Sequence, residues 1–447
     1  MKAFSFTLTL LLALAPPALR AAAAPVPERI AITPELIDGL LLEAEGTSPA
    51  LQAAGARTDA AAAALGAVRT WDDPTASFGL RGATARGSPS SMEGNLIYGV
   101  DQKLPLYGRP DLMRKVAAAD AARELLAGDF EARKLRRDLE AALINLALAG
   151  RVAEVAEQDL AWLDATLAEV DHRYRVGQAS QVDWLKLQTA RAMAGNDLVT
   201  RERESEHSAF ALNRLLNRDL HAAWPQVAVP PLEAPLYYSA RLVDAALAAE
   251  PQLKVMRQES ISAQAAADLT HRQRLPDVSV GVEARQYSGD GGFREGMATV
   301  SFSVPWLNRS RYDSEWRRDQ QRRRASEFAA TDYALSVREE LHHHIIALDA
   351  ARRQAVLYRD QLIPLTRQTL ASAESAWEHN LGPFQDILEA HRLLLGDELA
   401  LAQAVTDQAG MLAEISYLTG SRDRGALLSL AGDPASAHDS HLPDHSP

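Results

Sequence analysis

Few side chains in this sequence are placed to do chemistry, and the clearest are carboxylates where a helix begins. Asp183 follows Gly177 and Asp386 follows Gly382, each pair lying between two long helical patterns. Glycine supplies the left-handed or tight-turn backbone that reverses a helix, and an acid opening the returning helix is favoured by its positive end. Asp386 and Glu389 lie three apart and so share one helical face. Two uses fit Asp183, plain hairpin capping or a charged functional site. His342, His343 and His344 are consecutive on a helix, point about 100° apart and cannot converge on one metal ion. His438, Asp439, His441, Asp444 and His445 stand among Pro and Ser near the C-terminus. That segment fits either capture of soft or borderline cations or a solvated tail.

Several functions are excluded early. No Gly-rich phosphate loop, His-Glu-x-x-His or Gly-x-Ser-x-Gly occurs, so neither an enzyme centre nor a cofactor is expected. A net charge of −12 argues against a nucleic-acid partner. The cluster Arg317, Arg318, Arg322, Arg323 and Arg324 reads as a solvated helix face. With no cysteine, disulfides, thiolate metal sites and a lipid-bearing N-terminal cysteine are all ruled out. Residues 1–24 follow the plan of a secretory signal: Lys2, an apolar run from Phe4 to Ala15, then small residues from Ala21 to Ala24. That run is shorter than the roughly 20 residues a membrane helix needs.

The elements that carry these residues are written twice. An offset of 202 residues lays Pro49 on Pro251, Leu51 on Leu253, Pro74 on Pro276 and Gly79 on Gly281. The chain divides into repeats at 25–230 and 231–420, followed by a flexible tail at 421–447. Each repeat reads helix, strand, strand, long helix, turn, long helix. Leu139, Ala142, Leu146, Ala149, Ala153, Ala156, Leu160, Leu163, Leu167, Val170 and Tyr174 step by threes and fours, which is coiled-coil seam spacing. The same register in the second half starts at Leu341, His344 and Leu348, making His344 a packed or interprotomer residue. The long helices are expected at about 110–175 and 180–217, and at about 310–380 and 384–418. The first is a rod of roughly 100 Å at about 1.5 Å per residue. Pro364 is expected to kink or break the second rod.

Strands are expected at about 75–84 and 94–104, and at about 276–287 and 295–305. Val278, Val280, Val282 and Ala284 alternate with Ser279, Gly281, Glu283 and Arg285. Such alternation fits a membrane barrel with a watery lumen, and equally a soluble antiparallel sheet. Four strands cannot close a membrane barrel, which needs at least about 8, whereas three chains supply about twelve.

This order of elements resembles the TolC family of outer-membrane efflux proteins over about residues 34–420. Tyr174-Arg-Val-Gly177-Gln-Ala-Ser-Gln-Val-Asp183-Trp-Leu185 is similar to the family's first periplasmic hairpin tip. Trp377-Glu-His-Asn-Leu-Gly382-Pro-Phe-Gln-Asp386-Ile-Leu388-Glu389 is similar to the second, with two residues fewer between Gly and Asp. The resemblance implies a mainly α fold with a small β part. It also implies a homotrimer whose 12-stranded barrel crosses the outer membrane of a Gram-negative bacterium above an α-helical periplasmic tunnel. It implies passive export of cargo delivered by an inner-membrane pump, of the RND type, through a periplasmic adaptor. Asp386, Glu389 and Asp183 would then line the periplasmic entrance, and Tyr174, Arg175, Val176, Gly177 and Gly382 would dock the adaptor. Gln361-Leu-Ile-Pro364-Leu resembles the heavy-metal branch, the CzcC and CusC type, although that branch is often lipidated and this chain lacks the cysteine. Metal cations, organic solutes and secreted polypeptides all remain as cargo. A soluble periplasmic coiled-coil scaffold is the rival of another class, and it leaves the strand pairs without purpose.

Overall fold

A computed structural model describes residues 29–81, 95–287, 291–379, 381–422 and 424–431. The signal segment and the tail residues His438, His441 and His445 lie outside these. The chain opens with α1 (Pro34–Thr47) and α2 (Pro49–Ala67), then β1 (Thr75–Arg81), β2 (Asn95–Lys103), α3 (Arg109–Arg175) and α4 (Gln181–Leu216). The same order returns as α5 (Ala240–Ala249), α6 (Pro251–Arg272), β3 (Val278–Tyr287), β4 (Phe293–Phe302), a second long rod and α9 (Phe384–Thr419), closed by α10 (Arg424–Leu430).

The two halves bury matching residues. Leu40, Ala44, Leu135, Leu139 and Leu146 pack in one core, and Leu242, Ala246, Val337, Leu341 and Leu348 pack in the other, each 202 residues further on. The short helix of each half is thereby pinned against the middle of its rod. Because these positions recur every three or four residues, a seam rather than a globular centre is buried.

The second rod runs as α7 (Arg309–Leu357), a π-helical turn (Tyr358–Leu362) and α8 (Ile363–Glu378). At Pro364, where a kink or break is expected, the chain stays helical and the helix widens. Proline has no N–H and its ring crowds the carbonyl four residues back. The N–H of Ile363 bonds to the carbonyl of Tyr358, five residues back, and the rod continues past the proline.

All four strands form one antiparallel sheet in the order β1-β2-β3-β4, so the halves join through β2 and β3. β4 ends at Phe302, short of the expected 305, because Pro305 cannot donate to a ladder and opens a 3-10 turn, Pro305–Asn308. The register places Phe78 opposite Tyr98, Val100 opposite Val282, and Val282 opposite Ala298 on one face. That face is apolar and largely exposed, with Phe78, Leu80, Val282, Val300 and Phe302 each more than half uncovered. The other face carries Ser77, Asp101, Glu283, Arg285 and Thr299, and Arg285 pairs with Glu283 and Glu295. Among the described residues β1 and β4 each have one edge without a partner strand. Arg109, at the head of α3, ties rod to sheet by donating to the Asp277 carboxylate and to the carbonyls of Leu275 and Arg272. Among the described residues no helix is long and apolar enough to cross a membrane.

Candidate functional site: the two hairpin tips

The first tip closes with a Schellman turn. The N–H of Gly177 bonds to the carbonyl of Tyr174, and that of Gln178 to Arg173, with Gly177 at φ +77°. Ser180 then caps α4. Its hydroxyl accepts the N–H of Asp183 at 3.1 Å and donates to the Asp183 carboxylate at 2.6 Å. The Asp183 carboxylate is thus engaged by the capping serine. Tyr174 stacks on Trp184 across the turn, Arg175 pairs with Asp171, and Val176, Val182 and Leu185 stand exposed.

The second tip is built differently. The N–H of Leu381 bonds to the carbonyl of Ala376, and of the two backbones expected at Gly382, left-handed or tight-turn, the left-handed one is not taken. Its lack of a side chain serves closeness instead, since a Cβ there would lie 3.2 Å from the Ala376 Cβ. Pro383, in extended conformation, caps α9 without a side-chain bond. Phe384, Ile387, Leu388 and His391 form a buried stripe that packs on Leu163 and Val170 of α3 and Leu187 and Ala190 of α4. Asp386 and Glu389 fall on the opposite, exposed face of α9. Among the described residues neither carboxylate has a hydrogen-bonding or ion-pair partner, in contrast to Asp183.

Three further contacts hold the tips together. Lys186 donates to Gln385 at 2.9 Å, and Arg173 lies 4.0 Å above the Trp377 ring. His391 stacks on Trp162 at 3.6 Å while its Nε2 meets the Asp159 carboxylate at 2.9 Å. The sequence signal for this clamp is slight: a histidine seven residues after Phe384 on an apolar stripe, and a tryptophan beside the α3 seam. His344 is half-buried at its seam position, and burial lowers its pKa, which keeps the ring neutral. Among the described residues no group of three metal-binding side chains forms.

A sheet with one apolar exposed face, hung on two paired rods and open at both edges, defines the subunit of a membrane channel. The chain belongs to the outer membrane efflux protein family, whose pattern it matches over residues 40–218 and 242–421. The channels of this family are homotrimers of the outer membrane, with a periplasmic helical tunnel, and they work with an adaptor and an inner-membrane pump. They are passive ducts and not enzymes. Similar solved structures include VceC from Vibrio cholerae, at 16% identity over 86% of this chain and 96% of that one, TM-score 0.73. CmeC from Campylobacter jejuni is similar at 14% identity over 86% of both chains, TM-score 0.75. CusC is similar at 15% identity over 90% of this chain and 98% of that one, TM-score 0.75. At such identities the likeness concerns the fold. No curated protein matches the sequence.

Proposed function

We propose that this chain is the exit duct of a tripartite efflux system and that Asp386 and Glu389 form its periplasmic gate. In a trimer the two positions make two stacked carboxylate rings about one helical turn apart, which attract cations and repel one another. The observation that carries this reading is their pairing state. Both acids stand exposed on α9, on the face away from the buried Phe384 to His391 stripe, and have no partner among the described residues. Asp183 supports the Ser180 cap of the first tip. Tyr174, Arg175, Val176, Gly177 and Gly382 offer the adaptor an apolar, rigidly turned surface, and an RND-type pump supplies the driving force.

Metal cations are the cargo best suited to an acidic entrance. The resemblance of the Gln361-to-Leu365 run to the heavy-metal branch supports that reading, with organic solutes and secreted polypeptides as the alternatives. Replacing both Asp386 and Glu389 by Ala is expected to raise the closed-state conductance in planar bilayers severalfold and to weaken block by multivalent cations. Unchanged conductance and block would remove these residues from the gate.

A further inference from the structure

The periplasmic rim of the sheet has a composition that the gate does not use. β1 and β3 begin there and β2 and β4 end there, which brings Trp71, Leu106, Tyr107, Val304, Trp306 and Leu307 to one end of the sheet, all of them exposed. Trp306 and Leu307, at 58% and 77% exposure, sit on the 3-10 turn directly after β4. Rings at the edge of a lipid-facing strand match the interfacial layer of a bilayer, where an apolar body meets wet headgroups.

Immediately beyond, residues 309 to 324 hold seven arginines and three acids, in a chain of net charge −12. The acids are already engaged. Asp313 accepts from Arg274 at 2.6 Å and is 3.7 Å from Arg309, while buried Asp319 takes Arg318 and Thr270, each at 2.7 Å. The side chain of Arg309 is 78% exposed and among the described residues has only that shared acid; Arg311, 69% exposed, reaches Glu315 at 2.9 Å. A helix rises about 1.5 Å per residue and the headgroup layer is roughly 5–7 Å thick on each side of the hydrocarbon. Arg309 and Arg311 therefore fall within that layer. The arginines from Arg317 onward stand about 9 Å or more below Arg311, in water.

We infer that Trp306, Leu307, Arg309 and Arg311 form a seat for an anionic phospholipid of the periplasmic leaflet. The indole and leucine side chains lie in the interface, and the guanidinium groups meet the lipid phosphate through paired, charge-assisted hydrogen bonds. The inference rests on the apolar face of the sheet lying in lipid. It accounts for a run in which seven arginines outnumber three acids, placed where the strand ends.

The test uses the full chain reconstituted in phosphatidylcholine vesicles containing brominated phosphatidylcholine or brominated phosphatidylglycerol. Quenching of Trp306 is read as the difference between the wild-type chain and Trp306→Phe. The anionic lipid is expected to bind about fivefold more tightly, from about 1 kcal/mol for a basic residue at an anionic surface. Arg309→Gln with Arg311→Gln, or Arg309→Gln alone, is expected to abolish that preference while quenching by phosphatidylcholine persists. Equal quenching by both lipids in the wild type, or a preference that survives in the variants, overturns the seat but not the lipid placement of the sheet. No quenching by either lipid overturns both, and points to a neighbouring protomer over Trp306.

Discussion

Glu250 is a carboxyl group that the fold holds at a cost. It is fully buried; Oε1 accepts from the Tyr333 hydroxyl at 3.0 Å and from the N–H of Gln252 at 3.3 Å, and Oε2 has no hydrogen-bond partner among the described residues. Burial raises its pKa, with Glu340 adding to the effect and the two hydrogen bonds and Arg133 opposing it. The folded chain therefore holds the proton more tightly than the unfolded chain does. Its contribution to stability is full below the unfolded value near 4.5 and is lost as pH rises through the folded value. Glu250→Gln keeps a neutral side chain of the same shape and cannot titrate. Melting temperatures of the two proteins should accordingly diverge above pH 4.5, with the wild type falling relative to the variant and the gap levelling off at higher pH. A constant difference across the range would show that Glu250 ionises as freely in the folded chain as in the unfolded one.

At the scale of the elements, the two tips test how a glycine is used. Gly177 has φ +77°, so Gly177→Ala places a side chain in a left-handed turn at a cost of about 1–2 kcal/mol. Gly382→Ala imposes no such backbone penalty, and its outcome depends on whether Ala376 can yield a few tenths of an ångström. Amide exchange at Gln178 should accelerate about fivefold or more in the first variant, while exchange at Leu381 changes less in the second. Equal effects would mean that the turns share one mechanism. Both glycines are visible in the sequence as hairpin signals, but their different roles are not, because a one-dimensional pattern does not specify which residue takes the left-handed position. The seams from Leu139 and Leu341 are legible for the opposite reason: their spacing is local and repeats over many turns. The clamp of His391 on Asp159 and Trp162 joins residues more than two hundred positions apart, so only the packing of α9 on α3 reveals it. Pro364 signals a disturbance of the helix correctly, and the π turn shows that a widened turn is enough to absorb it.

At the scale of the whole molecule, the decisive question is what covers the apolar face of a sheet that ends in two unpaired edges. Three sheets joined edge to edge satisfy β1 and β4 and leave that face to lipid, since an open edge in hydrocarbon would strand its backbone donors and acceptors. The strands have the required reach: β2, β3 and β4 are 9, 10 and 10 residues long, close to the roughly 9–11 that a tilted membrane strand needs. Neighbouring positions on the two faces then give a matched pair of substitutions. Val282, midway along β3, lies on the apolar face between Val100 and Ala298; Thr299 lies on the polar face opposite Gly281. Val282→Lys places one ammonium group per chain in lipid, at about 2–4 kcal/mol each near the bilayer midplane, whereas Thr299→Lys places it in the wet lumen. The first should abolish the trimer that survives mild detergent on a semi-native gel. The second should leave the trimer intact and shift ion selectivity toward anions, because the added charge lies beside the conduction path. If both variants assembled equally well, the exposed valines would be facing something other than lipid, and a closed wall built from three chains would no longer follow from the register of the strands.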